Sequence, residues 1–156
     1  MTLVRVNKDN LDEYEEFIKK HPKGLFQHSS KWAKVKSAWK FEAIMLKNDS
    51  GEIKGSAAVL IRSIPIIKNS LMYCCRGFVC DENDFDTFDK LFNGLIELGK
   101  EYKAYCIKID PEIVIQNEAY KKHLIEKGFI ELNPGCMDFE NVQPRFVYCF
   151  DYNDMN

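Results

Sequence analysis

Three stretches of the chain hold side chains whose types and neighbours restrict what they can do. In Tyr105-Cys106-Ile107-Lys108-Ile109-Asp110-Pro111-Glu112 an apolar strand delivers Asp110 at its carboxyl end and is stopped by Pro111. Open α/β sheets place functional groups at such strand ends. An aspartate before proline equally well caps a turn. In Tyr73-Cys74-Cys75-Arg76-Gly77-Phe78-Val79 a strand runs into Arg-Gly. Gly77 permits a sharp backbone turn. Arg76 can grip an anion through two N–H donors, or pair with a nearby surface carboxylate. In Lys31-Trp32-Ala33-Lys34-Val35-Lys36-Ser37-Ala38-Trp39 a helix would align Trp32, Val35 and Trp39 in one stripe. Lys36 then lies about 40° from Trp32, beside the stripe. It either snorkels over apolar surface or contacts a phosphate or carboxylate at the mouth of a cleft.

Other chemistries have no support. His21, His28 and His123 are scattered, without metal-ligand spacing. There is no G-x-S-x-G elbow, no phosphate-binding G-x-x-x-x-G-K-[ST] loop and no G-x-G-x-x-G. The six cysteines (Cys74, Cys75, Cys80, Cys106, Cys136 and Cys149) include no C-x-x-C pair. They are expected to be reduced thiols that act as small apolar residues.

The elements that must position these groups follow from hydrophobic periodicity. Leu3 to Val6 is a short strand. Asn10 opens a helix with Glu13 three residues on, a capping-box-like start, and its stripe is Leu11, Tyr14, Phe17 and Ile18. Pro22 and Gly24 end it. Ser29 or Ser30 caps the Trp32 helix. Phe41 to Leu46 and Ile53 to Arg62 form a hairpin around the turn at Asp49–Glu52. A bend at 64–70 precedes a strand from Leu71 to Cys75. The strongest helix spans Asp84 to Tyr102, followed by the strand Tyr105 to Ile109. A helix from Asn117 to Lys127 is closed by Gly128, with Phe129 packing back. A last strand runs from Phe146 to Asp151. The order predicts a mixed α/β (α+β) fold, one sheet with helices on both faces.

At 156 residues the chain is one domain, 1–156, large enough to bury a core without disulfides or metal. The net charge of −2 offers no footprint for nucleic acid. The longest uninterrupted apolar run, Ala57 to Ile61, is far short of a membrane span. The first residues lack an apolar leader, so the expected address is the cytoplasm.

Taken in order, Trp32-Ala33-Lys34-Val35-Lys36…Trp39, Tyr73-x-x-Arg76-Gly77, Ile109-Asp110-Pro111-Glu112 and Gln143-Pro144-Arg145 resemble the amino-terminal half of the Fem family. These are the peptidyl transferases of peptidoglycan bridge formation. The resemblance implies a single copy of a GCN5-related N-acetyltransferase-like (GNAT-like) fold. It also implies transfer of an aminoacyl group from aminoacyl-tRNA to the stem-peptide lysine amine of the cell-wall precursor. That precursor is UDP-MurNAc-pentapeptide or its lipid-linked form. Residue by residue, it makes Asp110 the catalytic candidate, as a base or as an anion holding the acceptor ammonium. It makes Lys36, Tyr105 and Arg76 precursor contacts, with no metal and no cofactor beyond the tRNA-borne donor. The chain departs from the family at Gly77-Phe78, where proline usually follows the glycine. The tRNA-facing second domain of the family pattern is expected to be missing. The Arg/Gln-x-x-Gly-x-Gly/Ala loop that cradles acetyl-CoA is absent from the sequence. Two other readings stay open: a non-catalytic muropeptide-binding or dimerising module, and an N-acyltransferase that uses a CoA thioester.

Overall fold

The structure, a computed structural model, describes residues 1–66, 68–114 and 116–132. Its elements are β1 (Thr2–Arg5), α1 (Leu11–Lys20), a 3-10 turn (Phe26–His28), α2 (Ser30–Val35), β2 (Lys40–Lys47) and β3 (Ile53–Ile64). They continue with β4 (Asn69–Cys74), α3 (Phe85–Glu101), β5 (Ala104–Ile109) and α4 (Glu118–Glu126). The five strands form one sheet in chain order, β1-β2-β3-β4-β5. Every pair is antiparallel except β4–β5, which is parallel and joined by the α3 crossover.

Strand alternation sorts the core into two layers. Ile44, Leu46, Ala57, Val59, Ile61, Met72 and Cys74 face α3 and join Phe88, Leu91 and Leu95. Ala43, Met45 and Ala58 face the other way and meet Tyr14 and Ile18 of α1. The α1 stripe therefore buries as its spacing predicts. The mixed α/β sheet with helices on both faces is present.

Phe88 is the hub of the α3 layer. It is 1% exposed. Its ring lies 4.7 Å from Phe78, 5.6 Å from Tyr120 and 6.3 Å from Phe92. Phe88→Ala leaves a cavity that three aromatic neighbours cannot fill without moving. We expect a loss of about 3–5 kcal/mol, measured by denaturant unfolding.

Polar clips tie the helices to the sheet. Glu42 on β2 is buried. It accepts from Arg5 Nε at 2.9 Å and from Tyr102 at 2.5 Å, while Lys40 lies 3.1 Å away. Burial opposes its charge, but the bonds from Arg5, Tyr102 and Lys40 prevail and hold the carboxyl down at about 2. Asp89 on α3 joins His123 at 2.7 Å and Lys127 at 2.5 Å on and beyond α4.

Three local expectations are corrected. No capping box forms on α1: the Asn10 side chain instead accepts from the Asn7 amide at 2.7 Å and donates to the Arg5 carbonyl at 3.1 Å. The Trp32 helix stops at Val35, so Trp39 falls outside it, and Val35 is 68% exposed rather than part of a buried stripe. β4 begins at Asn69, inside the expected bend. The last strand, Gln143-Pro144-Arg145, Cys136 and Cys149 lie outside the described residues. The four described cysteines are free thiols, three buried and Cys106 exposed.

Candidate functional site

The carboxyl ends of β4 and β5 lie side by side because the two strands are parallel and paired up to Cys74↔Ile109. The chain turns sharply after both. Arg76 and Gly77 take positive φ, 60° and 76°. Phe78, which follows Gly77 in this turn, is buried in the α3 layer.

Asp110 closes this turn from the neighbouring strand. Its Oδ1 accepts the Arg76 amide at 2.8 Å. Its Oδ2 is buried with no hydrogen-bond partner among the described residues. Burial raises the carboxyl above its ordinary value, and the Arg76 amide, the Tyr73 hydroxyl and the Arg76 charge offset only part of that. Of the two roles its position left open, the structure shows the turn-closing one. It closes a turn, though one on the adjacent strand, and its second oxygen is buried beside it.

Strand alternation also decides what shares a face with Asp110. Tyr73 and Lys108 are register partners, with the Lys108 ammonium 6.0 Å from the Tyr73 ring. Tyr73, Cys75, Gln27, Phe41 and Leu60 border a shallow surface depression. Arg76 and Pro111 border a second one, beside Lys23, Glu82 and Tyr120. Lys23 bridges Glu82 and the Glu112 carbonyl, the latter at 2.6 Å, and Asn117 bonds Glu82 at 3.1 Å. These bonds tether both ends of the segment that follows Asp110.

His28 supports the turn from below. It is 1% exposed, and its Nδ1 accepts the Leu25 amide at 3.0 Å. The Tyr14 hydroxyl bonds its carbonyl at 2.5 Å. Burial lowers the imidazole to about 4; the nearby backbone of Gly77 and Cys75 opposes this in part. The ring is neutral at physiological pH.

Of the four sequence candidates, the structure brings Asp110 and Arg76 together. Tyr105 stands at the start of β5, 54% exposed. β5 breaks register with β4 between Ala104 and Cys106, and Tyr105 stands about 16 Å along the strand from Asp110 rather than beside it. Lys36 caps the carboxyl end of α2, with its ammonium 5.1 Å from the Trp32 ring. It leans over that indole as its helical angle predicts. Sequence reasoning missed Tyr73 as a partner of Asp110. Their pairing is visible only once β4 and β5 are in register. It also set His28 aside, since nothing local marks a histidine that contacts a turn far along the chain.

The FemAB family profile matches residues 10–134. The chain belongs to the FemAB family. All four candidate residues lie within the matched region of this FemAB-family chain. Over 120 residues it is 36% identical to a lipid II:glycine glycyltransferase of Staphylococcus epidermidis, covering 75% of this chain and 29% of the relative. Over 105 residues it is 36% identical to the protein of the same name from Staphylococcus aureus, covering 66% and 25%. A crystal structure of FemX superposes with a TM-score of 0.72 at 30% identity, over 82% of this chain and 32% of FemX. The FemAB-family chain thus spans less than a third of these relatives. A probable acetyltransferase superposes with a TM-score of 0.63 at 14% identity, over 97% of this chain and all of the other. That likeness shows the GNAT-like fold alone. No helix among the described residues is long and apolar enough to cross a membrane.

Proposed function

We propose that this chain forms the precursor-binding part of an aminoacyl transferase of peptidoglycan bridge formation. The acceptor would be the stem-peptide lysine amine of a lipid-linked or UDP-linked muropeptide, and the donor an aminoacyl-tRNA. The observation that carries this reading is Asp110, a strand-end carboxylate with one oxygen fixed by the Arg76 amide and the other left for a donor. The similarity to lipid II:glycine glycyltransferases supports the choice of acceptor.

The chemistry follows from the carboxylate. Asp110 holds the acceptor ammonium by charge and accepts one of its protons. The freed amine attacks the carbonyl carbon of the aminoacyl ester. An amide C–N bond forms, the ester C–O bond breaks, and the departing ribose hydroxyl takes up a proton. A carboxylate whose pKa is raised by burial is a better proton acceptor than an exposed one. Arg76 and Lys36 supply positive charge for the precursor's phosphate or carboxylate groups, and Tyr105 offers an aromatic face and a hydroxyl at the sheet edge. No resident cofactor or metal is required. The reaction would take place on the cytoplasmic side, with a further domain supplying the tRNA-facing surface or a second copy pairing with this one. The CoA-thioester alternative is disfavoured by β4 and β5, which stay paired to their ends and leave no gap between them for a thioester arm.

Calorimetric titration of the chain with UDP-MurNAc-pentapeptide tests the reading. We expect binding that weakens about tenfold in Lys36→Ala, the loss of one exposed charge contact to an anion. Lys36 is exposed and makes no core contact, so the fold is unaffected. Absence of binding by the folded wild-type chain would remove the precursor site from this part of the protein.

A further inference from the structure

The end of the sheet opposite Asp110 has a different character. Ile64 pairs with Asn69 and closes the β3–β4 hairpin, with Pro65, Ile66 and Lys68 the described residues of its tip. Ile66 is 94% exposed, more than any other large apolar side chain among the described residues. A single exposed isoleucine is ordinary; its charged surroundings are not. Arg62 and Lys68 flank the tip, and there is no Asp or Glu between Glu52 and Asp81. Lys103 stands beside the hairpin base, where its carbonyl accepts the Ser70 amide at 3.1 Å. The ion pairs at this end occupy Arg5, Lys40 and Lys100. Arg62, Lys68 and Lys103 make none with the described residues, and Arg62 lies over the Trp39 ring at 5.7 Å.

We infer that the β3–β4 hairpin tip docks on an anionic lipid bilayer, with Ile66 at the acyl boundary and Arg62, Lys68 and Lys103 at the level of the phosphates. Basic side chains around an apolar tip match both layers of that interface at once. A free anion would engage the cations and leave the isoleucine in water, and a phosphate backbone would do the same. The placement also suits the site. From Ala104 to Asp110 the chain rises about 20 Å. A tip-down pose therefore holds the carboxylate away from the lipid, where the peptide of a membrane-anchored acceptor is presented rather than its anchor. The inference rests on the proposed reading for its purpose but not for its test.

Flotation with vesicles of equal parts phosphatidylglycerol and phosphatidylcholine measures the contact without any acceptor. The chain is expected to float with these vesicles at low salt and not with pure phosphatidylcholine. Ile66→Glu should lower the partition about tenfold or more, and Arg62→Glu with Lys68→Glu should lower it at least as much. These side chains lie outside the core, so the circular dichroism spectrum should not change. Asp110→Asn should float like wild type. Failure of the folded wild type to float would overturn the inference. So would equal flotation by Ile66→Glu, which would mean adsorption by charge alone, or a dimer that buries the tip and does not float. A chain that floats but does not bind soluble muropeptide would leave the inference standing and remove the proposed acceptor; the converse result would do the opposite.

Discussion

Asp110→Asn is expected to lower aminoacyl transfer about 10²–10⁴-fold, the usual contribution of a positioned acid–base group, and to make the fold slightly more stable at neutral pH. The transfer assay applies to a two-domain transferase carrying this domain. Asparagine keeps an oxygen for the Arg76 amide but cannot accept a proton or hold an ammonium by charge. The stability effect follows from burial. The raised carboxyl means that the folded state disfavours the charged form. Stability from this residue is therefore full below its ordinary value and is lost as pH rises from there through the raised value. The asparagine variant has no charge to bury and escapes that loss. The two proteins should show similar pH dependence in acid and diverge above it, by a few tenths to about 1 kcal/mol. Denaturant unfolding across pH 3–8 reads this directly. An unchanged transfer rate would show that Asp110 only closes the turn.

Gly77→Ala should cost about 2–4 kcal/mol in stability and weaken precursor binding with it. Two effects combine. Gly77 has φ +76°, where a side chain is strained. A Cβ there would also stand 2.9 Å from Pro111 Cβ and 3.0 Å from its Cα. Those atoms belong to a ring and a backbone rather than to a flexible side chain, so they cannot swing aside. The turn and the Asp110-Pro111 segment must separate, and the hydrogen bond from the Arg76 amide to Asp110 goes with them. Gly51 provides the control. It has φ +88°, but an added Cβ meets nothing within 4 Å. Gly51→Ala should cost only the backbone strain, about 1 kcal/mol. Equal losses at the two positions would mean that the close approach of the two strand ends contributes nothing.

The parts of this fold governed by local periodicity are legible in the sequence. α3 carries a helical period over its length, and Asp84 caps it by accepting the Thr87 amide at 3.0 Å. Gly128 takes φ +84° and the Phe129 amide reaches back to the Leu124 carbonyl at 3.0 Å, as its place after α4 predicts. The Trp32 helix is less legible. Trp39 fits a helical stripe by spacing, yet the chain leaves the helix at Lys36 to enter β2, and tertiary demand overrides the period. The site divides along the same line. Asp110 is marked locally, by an apolar strand before it and proline after it. Its partners are not: the Arg76 amide and Tyr73 come to it only through the parallel register of β4 and β5. Tyr105 shows the converse. It shares a strand with Asp110 but stands at the other end of it.

The order of the strands bears on how the protein is made. Because each strand lies beside the one before it in the sequence, a nascent chain leaving the ribosome can add every strand to an edge already formed. β2 must wait for α1 and α2, and β5 for the crossover of α3, before each finds its place. Contacts of short sequence separation favour fast pairing, and domains form in order of synthesis. The Asp110 carboxylate is thus installed among the last steps, when β5 docks on β4 and its end meets the Arg76 turn.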